Sequence, residues 1–262
     1  MEKNTLFRLC PVCKSKINYS NVYDLKRADK KETLCKKCCI NSGKLNKGHK
    51  LNDTFNKSFN NLDLLLENNC ESFYWVGLLI ADGYFNGNRF ELSLSEKDYD
   101  YLKTFSDFIG FNKKLAYRKN TNSYRLAFDN KDSIPIITKK FNLLKNKTYN
   151  PINFNVIKDY DLDLLISLLI GIIDGDGTIS KNGKSISYYV DITAHSSWEL
   201  FYLELLNEIK IIGNITKVNK TNCIRIRIGK KNEIKKLLNI INKYNLPILK
   251  RKWENIDYSN SK

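Results

Sequence analysis

The 262-residue chain carries 44 Lys and Arg against 28 Asp and Glu, a formal net charge of +16. With 42% hydrophobic and 12% aromatic residues it can bury the core of one large domain or two small ones, which excludes wholesale disorder. The longest apolar run, 162–173, is broken by Asp163 and is shorter than the ~20 residues that span a bilayer, so no membrane association is expected. The first ten residues lack the apolar stretch of a secretion signal, so an intracellular location with reduced thiols is expected: cytoplasmic in a bacterial or phage host, organellar or nuclear in a eukaryote. So large an excess of positive charge points to a polyanion. Nucleic acid is the first candidate, because a membrane surface would call for a basic amphipathic helix or a lipidation signal.

The chain begins with Cys10-x2-Cys13, a 21-residue spacer and Cys35-x2-Cys38. That spacing fits a four-thiolate zinc site, since each pair can aim two sulfurs at one tetrahedral ion. A Lys-rich segment this short builds no core without such a staple. Cys39 competes with Cys38, Cys70 and Cys223 read as packing residues, and His49 is poorly spaced for a ligand. The expected divisions are a zinc module over 1–42, a basic linker over 43–71, a first repeat over 72–150, a connector over 151–161 and a second repeat over 162–262.

Beyond the linker the sequence repeats itself. Phe90-Glu91-Leu92-Ser93-Leu94 aligns with Val190-Asp191-Ile192-Thr193-Ala194, and 123–128 aligns with 223–228, both at an offset of 100. Ahead of each lies an apolar segment ending in Asp-Gly, Trp75–Gly83 and Leu169–Gly177, at an offset of 94; the difference falls in the loop around Lys181–Lys184. Each repeat reads helix, hairpin, helix, hairpin, helix, with helices near 97–109, 131–142, 197–210 and 232–243. The strands alternate with period two, placing Phe90, Leu92 and Leu94, or Ile224, Ile226 and Ile228, on one face. The fold class is α+β: tandem αββαββα repeats with antiparallel sheets covered on one face by helices.

Gly77 and Ala81, like Gly171 and Gly175, are four residues apart, which sets small residues on one helix face where another backbone can approach. Two such helices side by side and parallel would bring Asp82 and Asp176 together at their carboxyl ends. Two carboxylates at the negative ends of two helix dipoles call for a cation, and hard oxygen ligands favour Mg²⁺ over zinc. An EF-hand reading of 174–179 fails, because its charged first and last positions would be Ile172 and Gly183.

These two nonamers and the repeat around them resemble the LAGLIDADG homing endonucleases in their single-chain, two-motif form, over about residues 70–256. The resemblance implies a pseudo-twofold monomer with the motif helices at its centre and a saddle of two antiparallel sheets along the DNA major groove. It implies metal-dependent hydrolysis of both strands of a long asymmetric target, leaving 3′ overhangs. It places the catalytic acids at Asp82 and Asp176, the Mg²⁺ set at Asp82, Asp176, Ala81 and Gly175, and a lysine near each centre. Lys147 and Lys250 match best, with Lys145 and Lys252 as competitors. Ile80 departs from the family's inner acid, which Asp174 keeps; that position is mostly structural in the family.

DNA contact falls to the strand positions opposite the apolar face. These are Arg89, Glu91, Ser93, Ser95, Arg118, Ser123 and Arg125 in the first repeat, and Asp191, Thr193, His195, Arg225 and Arg227 in the second. Tyr84, Asn86, Thr178 and Ser180 follow the two acids and are placed near the central bases. The expected activity is an intron-, intein- or free-standing-gene-encoded endonuclease. The alternatives are an RNA-splicing maturase, with intron RNA as partner, and a catalytically silent DNA-binding regulator.

Overall fold

The computed structural model describes residues 6–35, 38, 61–181, 183 and 187–256. The chain forms two compact units, Met1–Ser58 and Phe59–Lys262. Cys39, His49 and residues 43–60 of the expected linker lie outside the described residues.

In the first unit β1 (Leu6–Leu9) and β2 (Lys16–Tyr19) form an antiparallel hairpin, Leu6 opposite Tyr19. Helix α1 (Val22–Lys30) follows, begun by Asn21, whose side chain accepts the Asp24 N–H at 2.8 Å. Its core is minimal. Among the described residues only Cys10, Ala28 and Cys38 are buried, while Phe7, Leu9, Val12 and Val22 stay exposed. Apolar burial on this scale does not hold a fold together, so the cysteines must carry it.

The second unit is built on α2 (Cys70–Ala81) and α5 (Leu162–Asp176). Both are apolar on all sides, because each is surrounded by protein: every residue of 72–80 and of 164–174 is buried. Asn69 starts α2 by accepting the Ser72 N–H at 2.8 Å. Each helix leads into a four-stranded antiparallel sheet. The first has order β3-β4-β6-β5, from β3 (Gly83–Asn86), β4 (Arg89–Ser95), β5 (Ala116–Arg118) and β6 (Ser123–Asp129). The second has order β7-β8-β10-β9, from β7 (Gly177–Lys181), β8 (Tyr188–His195), β9 (Asn214–Lys217) and β10 (Cys223–Ile228). Registers match across the repeat: Leu92 pairs with Gly83 and Leu126, and Ile192 with Gly177 and Ile226.

The apolar alternation holds, with Phe90, Leu92, Leu126, Val190, Ile192, Ile224, Ile226 and Ile228 all inside. Helices α3 (Tyr99–Phe108), α4 (Ser133–Lys140), α6 (Glu199–Glu208) and α7 (Lys231–Tyr244) supply the other half of the core, for example Phe105 against Phe90 and Trp75. The short α8 (Lys250–Trp253) closes the chain's core with Trp253. Two segments read as linkers contribute apolar side chains instead. Leu62 and Leu65 are buried ahead of α2, and Ile152, Phe154 and Ile157 are buried between the repeats. Their polar neighbours hid that spacing from a reading based on composition. No helix among the described residues is long and apolar enough to cross a membrane.

Candidate active centre and nucleic-acid interface

The site begins with the approach of α2 and α5. A Cβ on Gly77 would fall 2.0 Å from the Leu168 carbonyl oxygen, and one on Gly171 would fall 1.9 Å from that of Tyr74. Only glycine permits this contact from either side, and the helices therefore run backbone to backbone in the same direction. Further along, a Cβ on Gly175 would meet Ala81 Cβ at 2.2 Å and Asp82 Oδ2 at 3.2 Å. The Asp82 carboxylate thus reaches across to the residue preceding Asp176, and the two acids stand together at the paired helix ends.

Both aspartates open to solvent at their outer edge, but protein surrounds them on the other sides. That desolvation, then the charge of Asp176, pushes Asp82 up to about 6, against the pull of Lys147 and Lys252. Desolvation raises Asp176 too, opposed by the same two lysines. Among the described residues neither acid forms a salt bridge. The lysine ammoniums are directed elsewhere, onto the helix ends.

Lys147 donates to the carbonyls of Leu79 (3.2 Å), Ile80 (2.7 Å) and Ala81. Lys252 donates to those of Ile173 (2.9 Å), Asp174 (2.6 Å), Gly175 (3.3 Å) and Gly177 (2.6 Å). Each lysine therefore satisfies carbonyls that a helix end leaves unpaired and neutralises the negative pole beside an acid. Burial lowers Lys147 to about 8, and lowers Lys252 as well. Of the expected lysines and their competitors, Lys147 and Lys252 are the ones whose ammoniums reach the helix ends. Lys250 is exposed at the start of α8 on the rim of a separate groove with Lys97 and Arg251, whereas one turn of α8 aims residue 252 inward.

Tyr202 and Trp198 carried no sequence signal, whereas Asp174 is the expected inner acid of the second motif. Asp174 is buried and fully bonded, accepting Tyr74 Oη at 2.6 Å, Leu249 N–H at 2.9 Å and Trp253 Nε1 at 2.6 Å. It anchors the segment that ends in Lys252, in keeping with a structural inner acid. Tyr202, buried and pushed up by that burial and then by Asp176, lines a cleft of about 250 Å³ with Asp176, Lys147, Thr193, His195 and Trp198. Thr193 and His195, expected out on the groove-facing sheet, thus lie beside one acid. The His195 ring meets Tyr149 edge-on at 4.9 Å and holds Ser197 Oγ at 3.0 Å from Nδ1.

The remaining polar strand positions form two charged faces. In the first sheet Glu91 pairs with Arg118 (2.9 Å) and Arg125, and Arg89 lies 3.4 Å from Asp129. In the second Asp191 grips Arg227 through two bonds of 2.7 and 2.6 Å, with Arg225 at 4.0 Å. Arg227 also lies over the Tyr189 ring at 4.3 Å. The acids Glu91 and Asp191, read as contact residues, therefore hold arginines in place. Ser93, Ser95, Tyr84, Asn86, Thr178 and Ser180 keep the same face partly or fully open, whereas Ser123 is covered, its hydroxyl 2.7 Å from that of Thr121.

In the first unit the sulfurs of Cys10, Cys13, Cys35 and Cys38 all lie within 4.8 Å of one another. Four thiolates on zinc at about 2.3 Å would stand about 3.8 Å apart. The backbone N–H of Cys35 donates to Cys10 Sγ at 3.3 Å, chiefly responsible for lowering Cys10 to about 6, and the N–H of Cys38 donates to Cys35 Sγ at 3.4 Å. The donor set fits zinc.

Family models agree with this geometry. One described as LAGLIDADG endonuclease matches residues 169–258, and one described as a WhiA LAGLIDADG-like domain matches 71–144; together they take in more than half of the chain. No curated protein matches the sequence. Among solved structures, the I-LtrWI LAGLIDADG homing endonuclease bound to target DNA is similar with a TM-score of 0.51 at 16% identity, over 72% of this chain and 89% of that one. I-SmaMI bound to an uncleaved DNA target in the presence of calcium ions gives 0.49 at 15% identity, over 70% and 87%. I-SmaMI bound to cleaved DNA gives 0.49 at 14%, over 72% and 86%. With two motif helices in glycine-mediated contact and two sheets in matching register, the chain belongs to the LAGLIDADG homing endonuclease family in its single-chain, two-motif form.

Proposed function

We propose that the chain is a site-specific DNA endonuclease that makes a metal-dependent double-strand break at a long asymmetric target, acting as a monomer and leaving 3′ overhangs. The observation that carries this reading is the pair of carboxylates, Asp82 and Asp176, set side by side at the ends of α2 and α5, neither of them in a salt bridge among the described residues. Such a pair fits a divalent ion such as Mg²⁺, which Asp82 and Asp176 would hold; the carbonyls of Ala81 and Gly175, expected beside them, accept the ammoniums of Lys147 and Lys252. Bound there, the ion would polarise water and screen charge on a phosphate.

The chain's own residues supply the rest. Lys147 and Lys252, held on the helix-end carbonyls, bring positive charge to each acid and can screen the developing charge of a displaced oxygen. The cleft behind Asp176 gives water a bounded place beside one centre. Arg118, Arg125 and Arg227, held by Glu91 and Asp191, and the freer Arg225 present guanidinium groups suited to base edges and phosphates. The two unlike faces favour a non-palindromic target. The zinc module adds a further basic surface on the same chain, raising the effective concentration of one contact once the other has formed.

The test is incubation of the purified protein with Mg²⁺ and its own genomic insertion locus, with and without Asp82→Asn or Asp176→Asn. The wild type should cut both strands, and each variant should lose cleavage while keeping DNA affinity. Binding without cleavage by the wild type would instead indicate a regulator, and preference for intron RNA a maturase.

A further inference from the structure

Building on the nuclease reading, we propose that Asp98 and Trp198 are positioning residues, each belonging to one repeat and each fixing the active-centre lysine of the other. The two occupy the same place at the repeat offset of 100: both end the 3-10 turn that leads into α3 or α6, Glu96–Asp98 and Ser196–Trp198. Lys147 and Lys252 likewise follow the last helix of the first repeat and the last long helix of the second.

Trp198 Nε1 donates to the backbone carbonyls of Lys147 at 3.0 Å and Thr148 at 3.2 Å, and its ring is buried edge-on against Phe201. In the other half Asp98, itself buried, receives Arg251 through two bonds of 2.7 and 2.8 Å, and Arg251 immediately precedes Lys252. A neutral indole–carbonyl bond and a charge-assisted pair thus perform the same task at equivalent points. Trp198 holds the backbone of Lys147 itself, and Asp98 holds the side chain of the residue before Lys252, so that each lysine meets the helix-end carbonyls from one direction. An anchored root leaves less of the lysine's rotamer freedom to be lost at the centre. Because each pin comes from the opposite repeat, neither centre is complete unless the two repeats are docked.

The experiment follows each strand of a double-labelled target under single-turnover conditions for the wild type, Asp98→Asn and Trp198→Phe, with DNA affinity measured alongside. Asp98→Asn should slow one strand by about 10- to 100-fold, and Trp198→Phe should slow the opposite strand by a similar factor, so each accumulates a nicked product of opposite polarity. Affinity should stay within about twofold, and Arg251→Lys, which keeps the charge but not the paired bonds, should fall between the wild type and Asp98→Asn. Equal slowing of both strands, or none, would overturn the proposal. Lysine acylation rates read by mass spectrometry give a readout independent of cleavage. Lys252 should react faster only in Asp98→Asn, and Lys147 only in Trp198→Phe. Unchanged rates in both would reject the proposal even if the protein cut no DNA, whereas faster rates without cleavage by the wild type would reject only the nuclease reading.

Discussion

Gly77 and Gly171 trade the same contact across the centre of the molecule: a Cβ on either would lie 2.0 or 1.9 Å from a carbonyl oxygen of the opposite helix, at Leu168 and at Tyr74. Tyr74 and Leu168 are themselves 94 residues apart, the offset of the two glycines, so the contact is its own pseudo-twofold image. Because the obstacle is backbone, no rotamer change relieves it. Gly77→Ala and Gly171→Ala are each expected to cost about 1–3 kcal/mol, the usual range for overpacking. Thermal denaturation of the second unit should register a loss of about 2–4 °C per kcal/mol for a domain of this size. An unchanged melting temperature in both variants would show that the helices can separate freely.

Asp82 gives stability a pH dependence of definite sign. Its folded value of about 6, raised first by burial and then by Asp176, lies above the value of roughly 3.9 for an unfolded aspartate. Between those values the folded chain binds a proton that the unfolded chain releases, so stability falls as pH rises through that window. Asp82→Asn removes the charge that causes the loss. In buffer free of added divalent ions the variant should melt higher than the wild type at pH 7.5, and the difference should vanish near pH 3.5, where both side chains are neutral. A variant less stable than the wild type at pH 7.5 would contradict this account.

The architecture was legible because it is written twice. Period-two alternation in 90–94 and 224–228 and paired small residues at Gly77 and Gly171 each have one physical reading, and the offset of 100 lets one repeat check the other. The choice between Lys250 and Lys252 was illegible for a local reason. Lys250 and Lys252 both follow Leu249, and only the turn of α8 decides which ammonium reaches the helix end. The tethers were hidden differently: Asp98 and Trp198 share no chemistry, so an alignment by residue type passes over their shared position. Asp174 had a partner set from two distant segments, Tyr74 on α2 and Leu249 with Trp253 around α8, which no local pattern announces.

On the charged faces, Arg125 and Arg225 sit at equivalent positions but under different restraint. Arg125 is held by Glu91 with its Nε buried and without a hydrogen-bond partner, while Arg225 stands 4.0 Å from Asp191 and is more exposed. A guanidinium pinned in one orientation suits readout of a base edge; a freer one suits a phosphate. Arg125→Ala should weaken DNA binding by about 1–3 kcal/mol and relax preference at one target position. Arg225→Ala should weaken binding to all sequences alike and reduce the salt dependence of affinity by about one phosphate contact. Binding titrations at several salt concentrations on substituted targets would separate the two, and interchange of the two signatures would reverse the assignment.

The first unit ties its stability to the cysteines. With only Cys10, Ala28 and Cys38 buried among its described residues, apolar burial is far too small to offset the ordering of more than thirty residues. Binding of structural zinc to four thiolates supplies about 10–16 kcal/mol near neutral pH, which is enough. Cys10→Ser or Cys35→Ser should therefore lower zinc content by one ion per chain and abolish the protected amides of the hairpin Leu6–Tyr19. The second unit, whose core contains none of these four residues, should keep its melting transition within a degree or two. DNA affinity should fall while the single-turnover cleavage rate at saturating protein stays near that of the wild type. Full zinc content in the Cys10→Ser protein, or loss of the second unit's transition with it, would defeat the separation of a zinc-held module from a helix-held core.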